Sequence, residues 1–337
     1  MRAIAIHGGK GPATAMHVTD IPKPVPAPGQ ALVKIRAFGL NRMDLLQREG
    51  LYPLPPQAPE TMGVEFSGVI EGFGDEAAAA GCGFKRGDEV FGLAYGGAYA
   101  EYIVVSTKML VHKPEQLSWE EAAGIPETWI TASQALFLIG DFQPGQSVLW
   151  HAGASSVSIS GIQLAKASGA SAIYATAGSQ EKISFLENEL GVTKAFNYKT
   201  DDWAGELQKL TNGAGVNLTV DFIGAPYFQG DLDVAARDGR VVLLGLMGGG
   251  KLPDGVNIAP LLFKRVRVEG STLRSRDVEY QGKLRDTLVE HALPKFCDGT
   301  FRVFVEKVFP FEEIVEAHQL LESNRTKGKI ICTVGGQ

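Results

Sequence analysis

From about residue 131 to residue 270, strand and helix signals follow one another without interruption, and this alternation narrows the fold more than any other feature. Ser147-Val-Leu-Trp150 predicts a short strand, residues 157–168 a helix closed by Gly169, and Ala172-Ile-Tyr-Ala-Thr176 a second strand. Residues 180–190 place Ile183, Leu186 and Leu190 on one helical face and end at Gly191. Strands over 194–198, 218–222, 240–246 and 265–270 continue the series. Val241-Val-Leu-Leu244 does not alternate, as suits a strand buried on both faces. Strands and helices in this order predict an α/β fold with a doubly wound parallel sheet.

The first third reads differently. Ala31-Leu-Val-Lys-Ile-Arg36 alternates with period two, the mark of a half-buried strand. The stretch before it, 22–29, holds four prolines and a glycine and predicts a loop or edge. Further strands are expected over 65–71, 89–93 and 99–105, and a first one within 1–10 that stops at Gly8-Gly9. Short strands between turn signals predict a partly open β-barrel. The tail over 306–334 returns to mixed helix and strand and is expected to rejoin this first domain. The alanine run at 77–80 is the one low-complexity tract, and no internal repeat is present. A chain of 337 residues holds two domains comfortably, expected at 1–128 with 273–337 and at 129–272.

Composition narrows the partners. The 32 Lys and Arg against 38 Asp and Glu give a net charge of −6 with no long block of either sign, so neither nucleic acid nor an anionic membrane is expected. No apolar run approaches the roughly 20 residues of a membrane helix, and the N-terminal strand does not read as a signal peptide. Cys82, Cys297 and Cys332 are odd in number and far apart, which argues against disulfides and for a reducing cytoplasm.

The turn after the first parallel strand, His151-Ala-Gly-Ala-Ser-Ser-Val-Ser158, has a strand before it, a helix after it and small residues throughout. That is the setting of a pyrophosphate cradle, although Gly153 is its one glycine. Sites that prefer NAD place an acid about 20 residues past the first glycine, where it accepts from the ribose hydroxyls. Here the second strand runs on as Ala177-Gly178-Ser179 with no acid. Gly178, Ser179 and Lys182, with Tyr198 after the third strand, suit a 2′-phosphate instead, so NADPH is the expected cofactor.

The motifs Ala37-Phe-Gly-Leu-Asn-Arg-Met-Asp44, Arg48-Glu-Gly-Leu-Tyr-Pro53 and Gly63-Val-Glu-Phe-Ser-Gly68 follow in order. Arg86-Gly-Asp-Glu-Val-Phe-Gly92, Gly97-Ala-Tyr-Ala-Glu-Tyr102 and Gly328-Lys-Ile-Ile331 continue the series. Together they resemble the zinc-free quinone oxidoreductase branch of the medium-chain dehydrogenase/reductase superfamily. Leu244-Gly-Leu-Met-Gly-Gly249, Leu261-Leu-Phe-Lys-Arg265 and Leu273-Arg-Ser-Arg276 are similar to its tumour-suppressor-inducible subgroup. The resemblance covers essentially the whole chain. It implies a GroES-like catalytic domain, an inserted Rossmann cofactor domain and a homodimer paired through the sheet edge at 265–270.

The resemblance also implies site residues. Asn41, Tyr52 and Thr131 surround the nicotinamide and substrate, with Asn41 and Tyr52 as the catalytic pair. Gly153, Ser155, Ser156 and Val157 hold the pyrophosphate. Gly224, Gly245, Leu246, Met247, Leu273 and Lys329 complete the cofactor set.

Two departures matter. Zinc alcohol dehydrogenases of the superfamily carry a cysteine after the first catalytic strand and a His-Glu pair after a glycine; here those segments read Leu40-Asn41-Arg42 and Gly63-Val64-Glu65. Neither soft ligand remains and no metal is expected. Ser156 and Ser158 also replace the usual glycines. Without a Lewis acid an alkoxide is hard to stabilise, whereas a reduced quinone leaves as a resonance-stabilised phenolate. The expected reaction is therefore NADPH-dependent reduction of a quinone or enone. One alternative is an enoyl-thioester or 2-alkenal reductase in which Tyr52 protonates the α-carbon. Another is a non-enzymatic NADPH-binding protein of crystallin-like or RNA-binding type, against which the acidic balance speaks.

Overall fold

The computed structural model describes residues 1–76 and 81–335. The alanine run at 77–80 lies outside the described residues. The chain divides into two compact units, Met1–Ile130 with Leu273–Gln337, and Thr131–Thr272.

In the first unit the hairpin β1 (Arg2–Ile6) and β2 (Met16–Asp20) is its own two-stranded sheet, bridged from Ala3 to Ala100 at the entry to a strand of a seven-stranded sheet. That sheet contains β3 (Gln30–Gly39), β4 (Glu65–Phe73), β5 (Glu89–Leu93), β6 (Tyr102–Ser106), β7 (Leu110–His112), β14 (Val305–Pro310) and β15 (Lys329–Thr333). Its order is β14-β15-β3-β4-β5-β7, with β6 on β3. The period-two pattern is realised in β3, where Ala31, Val33 and Ile35 are buried while Lys34 and Arg36 are exposed. Along one edge β3 pairs with β4 throughout; on the other it meets β6 over Gln30 to Lys34 and β15 over Ala37 to Gly39. Register shifts near Leu32 and Ile35 mark bulges, which coil the strand and let it serve both neighbours. One end of β3 thereby lies beside the first residues of β4 and β15, which are Glu65 and Lys329.

The second unit is a six-stranded sheet whose pairings are all parallel. Its strands are β8 (Ser147–Trp150), β9 (Ala172–Ala177), β10 (Lys194–Asn197), β11 (Val216–Asp221), β12 (Ala235–Leu243) and β13 (Arg267–Gly270), in the order β10-β9-β8-β11-β12-β13. Strand order reverses between β8 and β11, the switch point where doubly wound sheets open a crevice. Both bounds of β12 differ from the 240–246 expected from sequence. β12 begins at Ala235, because an irregular loop with Asp238 at φ 62° still pairs at both ends. It stops at Leu243, after which Leu244 N–H donates to the Asp221 carbonyl and the chain turns away.

Candidate functional site

In the second unit the turn from β8 into the helix Ser156–Ala167 lies at the switch point. Gly153 packs so closely that a Cβ there would stand 2.8 Å from Ala175 Cβ and 3.0 Å from Leu186 Cδ1. The serines are absorbed locally. Ser155 is the N-cap of the helix, Ser155 Oγ donates to Ser158 Oγ at 3.0 Å, and Ser158 Oγ donates to the His151 carbonyl at 2.9 Å. Ser156 and Val157 open the first turn of this helix, the kind of N-terminus at which an anion is held.

Ser179 caps the helix Gln180–Asn188, accepting from Lys182 N–H at 3.4 Å. Gly178 is crowded by Tyr198, whose hydroxyl would be 2.6 Å from an added Cβ. Gly178, Ser179, Lys182 and Tyr198 thus share one end of β9 and β10. At the ends of β11 and β12, Asp221 accepts from the N–H groups of Ile223 and Gly224 at 2.6 and 2.8 Å. Gly224 has φ 84° and sits 2.8 Å, from a would-be Cβ, to the Gly249 carbonyl. Gly245 lies against Phe222, and Leu246 and Met247 are exposed in the turn beyond β12. Thr131 Oγ1 has no hydrogen-bond partner among the described residues.

One group of metal-ligand type occurs among the described residues: His151, Asp221 and Asp231, all buried, with ligand atoms within 4.8 Å of one another. Both imidazole nitrogens are occupied, Nδ1 by Thr176 Oγ1 at 3.0 Å and Nε2 by Asp231 Oδ1 at 2.7 Å. The Trp203 and Tyr227 rings stand edge-to-face on the imidazole at 4.8 and 4.7 Å. Burial, and then the neighbouring Asp231, push the Asp221 carboxyl up to about 6. The arrangement is a hydrogen-bonded core post that fixes the end of β8. Nothing in the local sequence of His151 announces the partner 80 positions on.

In the first unit a polar cluster forms where β3, β4 and β15 converge. Asn41 Nδ2 donates to Glu65 Oε1 at 2.8 Å, and Lys329 Nζ donates to Asn41 Oδ1 at 2.7 Å. Lys329 also forms an ion pair with Glu65, whose second oxygen accepts from Glu127 N–H at 2.9 Å. Glu65 is fully buried and Lys329 is 1% exposed. Lys329, expected at the cofactor, therefore directs its ammonium to Asn41 and Glu65. Leu273 is likewise buried, its carbonyl accepting from Gln281 Nε2 at 3.0 Å.

Behind Asn41 its own N–H donates to Asp44 Oδ2 at 2.8 Å, which also accepts from Tyr99 OH at 2.9 Å. Arg48 can only donate to His318 Nδ1, at 3.2 Å, so His318 Nε2 carries the proton directed at Tyr99, 3.1 Å away. Burial, then Arg48, hold His318 down at about 3, and the imidazole is neutral. Burial raises the Asp44 carboxyl to about 6 despite these donors.

Tyr52 is half-buried, with the Arg274 guanidinium carbon 5.5 Å from its ring centroid. Arg274 is anchored by the Tyr95 carbonyl at 2.7 Å and Gln47 Oε1 at 2.8 Å. Burial and the charge of Glu127 raise the Tyr52 phenol above its ordinary value, so it is protonated at neutral pH. Glu127 itself is pushed up to about 7, first by burial and then by Glu65. Glu127 and Arg274 were not singled out as site residues; Pro126-Glu127 at a helix start is the one local signal for the first.

The family model for the alcohol dehydrogenase GroES-like domain matches residues 27–115, and that for zinc-binding dehydrogenases matches residues 156–289. The chain is 31% identical over 332 residues to a zinc-type alcohol dehydrogenase-like protein of Schizosaccharomyces pombe, covering 91% of each. It is 29% identical over 338 residues to the quinone oxidoreductase of Homo sapiens, covering 98% of this chain and 97% of that one. Escherichia coli quinone oxidoreductase complexed with NADPH superposes with a TM-score of 0.86 at 26% identity, over 99% of this chain and 100% of that one. CurK enoyl reductase superposes with a TM-score of 0.84 at 28% identity, over 99% of each chain. With its GroES-like unit and parallel-sheet unit, the chain belongs to the medium-chain dehydrogenase/reductase superfamily of oxidoreductases, within the quinone oxidoreductase branch.

Proposed function

We propose that this oxidoreductase reduces quinones with NADPH and without a metal. The observation that carries the reading is the Asn41–Glu65–Lys329 cluster. At the segments where zinc relatives carry soft ligands, a buried lysine ammonium is paired with the one carboxylate and bonded to the carboxamide. A resident cation already neutralises Glu65, so a divalent ion there would have to displace it.

In the second unit, Gly153 and the helix N-terminal turn at Ser156 and Val157 are suited to the pyrophosphate, with Ser155 as the N-cap whose own N–H closes the turn onto the Ala152 carbonyl at 2.8 Å. Gly178, Ser179, Lys182 and Tyr198 are suited to the 2′-phosphate, and Gly224, Gly245, Leu246 and Met247 to the nicotinamide end. When bound, NADPH supplies the hydride. Asn41 offers a carboxamide N–H to an acceptor oxygen and Tyr52 a neutral phenol; in the second unit Thr131 has a hydroxyl with no hydrogen-bond partner among the described residues. The reduced quinone leaves as a phenolate that water protonates, so catalysis consists largely of placement and exclusion of water. The free cysteines Cys82, Cys297 and Cys332 suit a cytoplasmic setting. The exposed Ile258, Leu262 and Phe263, near the open edge of β13, support a homodimer.

The protonated Tyr52 phenol favours a second reading, an enoyl reductase in which Tyr52 delivers the proton to carbon. Tyr52→Phe separates the two. For a quinone reductase the loss of kcat is modest on every substrate. A fall of roughly a hundredfold or more confined to enoyl thioesters would reverse the assignment.

A further inference from the structure

We propose that Lys329 is a positioning residue whose buried ammonium locks and polarises the Asn41 carboxamide, presenting its second Nδ2–H to the acceptor oxygen. The inference rests on the reading of Asn41 given above. The orientation of the carboxamide is forced by its partners. Lysine only donates and an ionised carboxylate only accepts, so Oδ1 faces Lys329 and Nδ2 faces Glu65. A flipped amide would set NH2 against ammonium and carbonyl against carboxylate. One Nδ2–H is used by Glu65, and the other points in a direction fixed by the amide plane. Positive charge at Oδ1 withdraws electron density through the amide and strengthens that remaining donor.

The backbone is arranged to admit this lysine. A Cβ at Gly39 would lie 2.4 Å from Glu65 Oε1 and 2.7 Å from Lys329 Cε, and one at Gly124 would lie 3.2 Å from Lys329 Cγ. Two side chains are thus absent where the ion pair passes. A buried ion pair is a poor source of stability compared with apolar side chains of the same volume. Its presence beside Asn41 is explained if the charge acts on the carboxamide.

Lys329→Met alone leaves Glu65 charged and unpaired, and a loss of activity would then report only misfolding. The decisive variant is Glu65→Gln/Lys329→Met, which removes both charges. It is compared with wild type in melting temperature, NADPH binding affinity, and kcat and KM with a quinone. The expected result is a melting temperature within a few degrees of wild type, NADPH affinity within about twofold, and kcat lowered roughly ten- to a hundredfold. Adding Asn41→Ala should cost more than about tenfold in wild type but less than about twofold in the double variant, because Lys329 acts through Asn41. Should the double variant not fold, Glu65→Gln/Lys329→Gln takes its place with the same criteria. A folded neutral pair with wild-type kcat, or equal costs of Asn41→Ala in both backgrounds, overturns the role of Lys329. A wild type that does not reduce quinones rejects instead the functional reading beneath it.

Discussion

At Gly178 the missing side chain serves packing as well as any phosphate, since a Cβ there would press on the Tyr198 hydroxyl at 2.6 Å. An acid introduced at 178 would displace that ring, so cofactor choice is better tested at its neighbours. Lys182→Ala should lower kcat/KM for NADPH roughly ten- to a hundredfold, the worth of about 1.5–3 kcal/mol for a charge-assisted contact. NADH, which has no 2′-phosphate, should be hardly affected. Ser179→Asp keeps a helix N-cap of equal quality while placing a carboxylate beside the same position, and should shift preference toward NADH. Paired kcat/KM values for the two cofactors check both variants; equal weakening of both by Lys182→Ala would contradict the assignment. The strand–turn–helix around Gly153 was legible in sequence because an apolar strand, a run of small residues and a helix follow one another locally. The partners of Lys329 were not, because Asn41 lies 288 positions away and no local pattern encodes the pairing.

Between β8 and the following helix, sequence preference and packing make opposite demands on one residue. Gly161 lies inside the helix Ser156–Ala167, where replacing glycine by alanine ordinarily gains about 1 kcal/mol. A Cβ there would fall 2.0 Å from Trp150 Cζ2 and 2.1 Å from Cη2, and Trp150 is fully buried. Overpacking of this kind costs about 1–3 kcal/mol and cannot be relieved by a flexible chain end, so packing wins. Gly161→Ala should lower the urea midpoint despite the better helix former; a raised midpoint would contradict the packing argument. The same competition explains which elements were legible. β3 and the helix Gln180–Asn188 declare their buried faces, with Ile183 and Leu186 inward. The helix Val278–Thr287 was missed because it buries only Gln281, Gly282 and Leu284, too little apolar periodicity to stand out.

At the scale of the molecule, the alternation from residue 131 onward was enough to expect a doubly wound sheet, because parallel strands admit few other connections. The fit of β15 against β3 depends on a pairing across some 290 residues, which the tail's mixed pattern only hinted at. An exposed sheet edge with Leu262 and Phe263 near it should be covered by a second copy. Sedimentation equilibrium should give twice 36.1 kDa, reduced to one copy by Phe263→Glu; a monomeric wild type would contradict the dimer. The central claim is metal-free reduction of a quinone by NADPH. It is tested most directly by measuring kcat/KM with NADPH before and after exhaustive dialysis against a chelator, on a quinone, an enone and an enoyl thioester side by side. The expected result is quinone turnover that is fastest of the three and unchanged by the chelator. Activity lost on dialysis and restored by zinc, or an enoyl thioester reduced faster than any quinone, would contradict it.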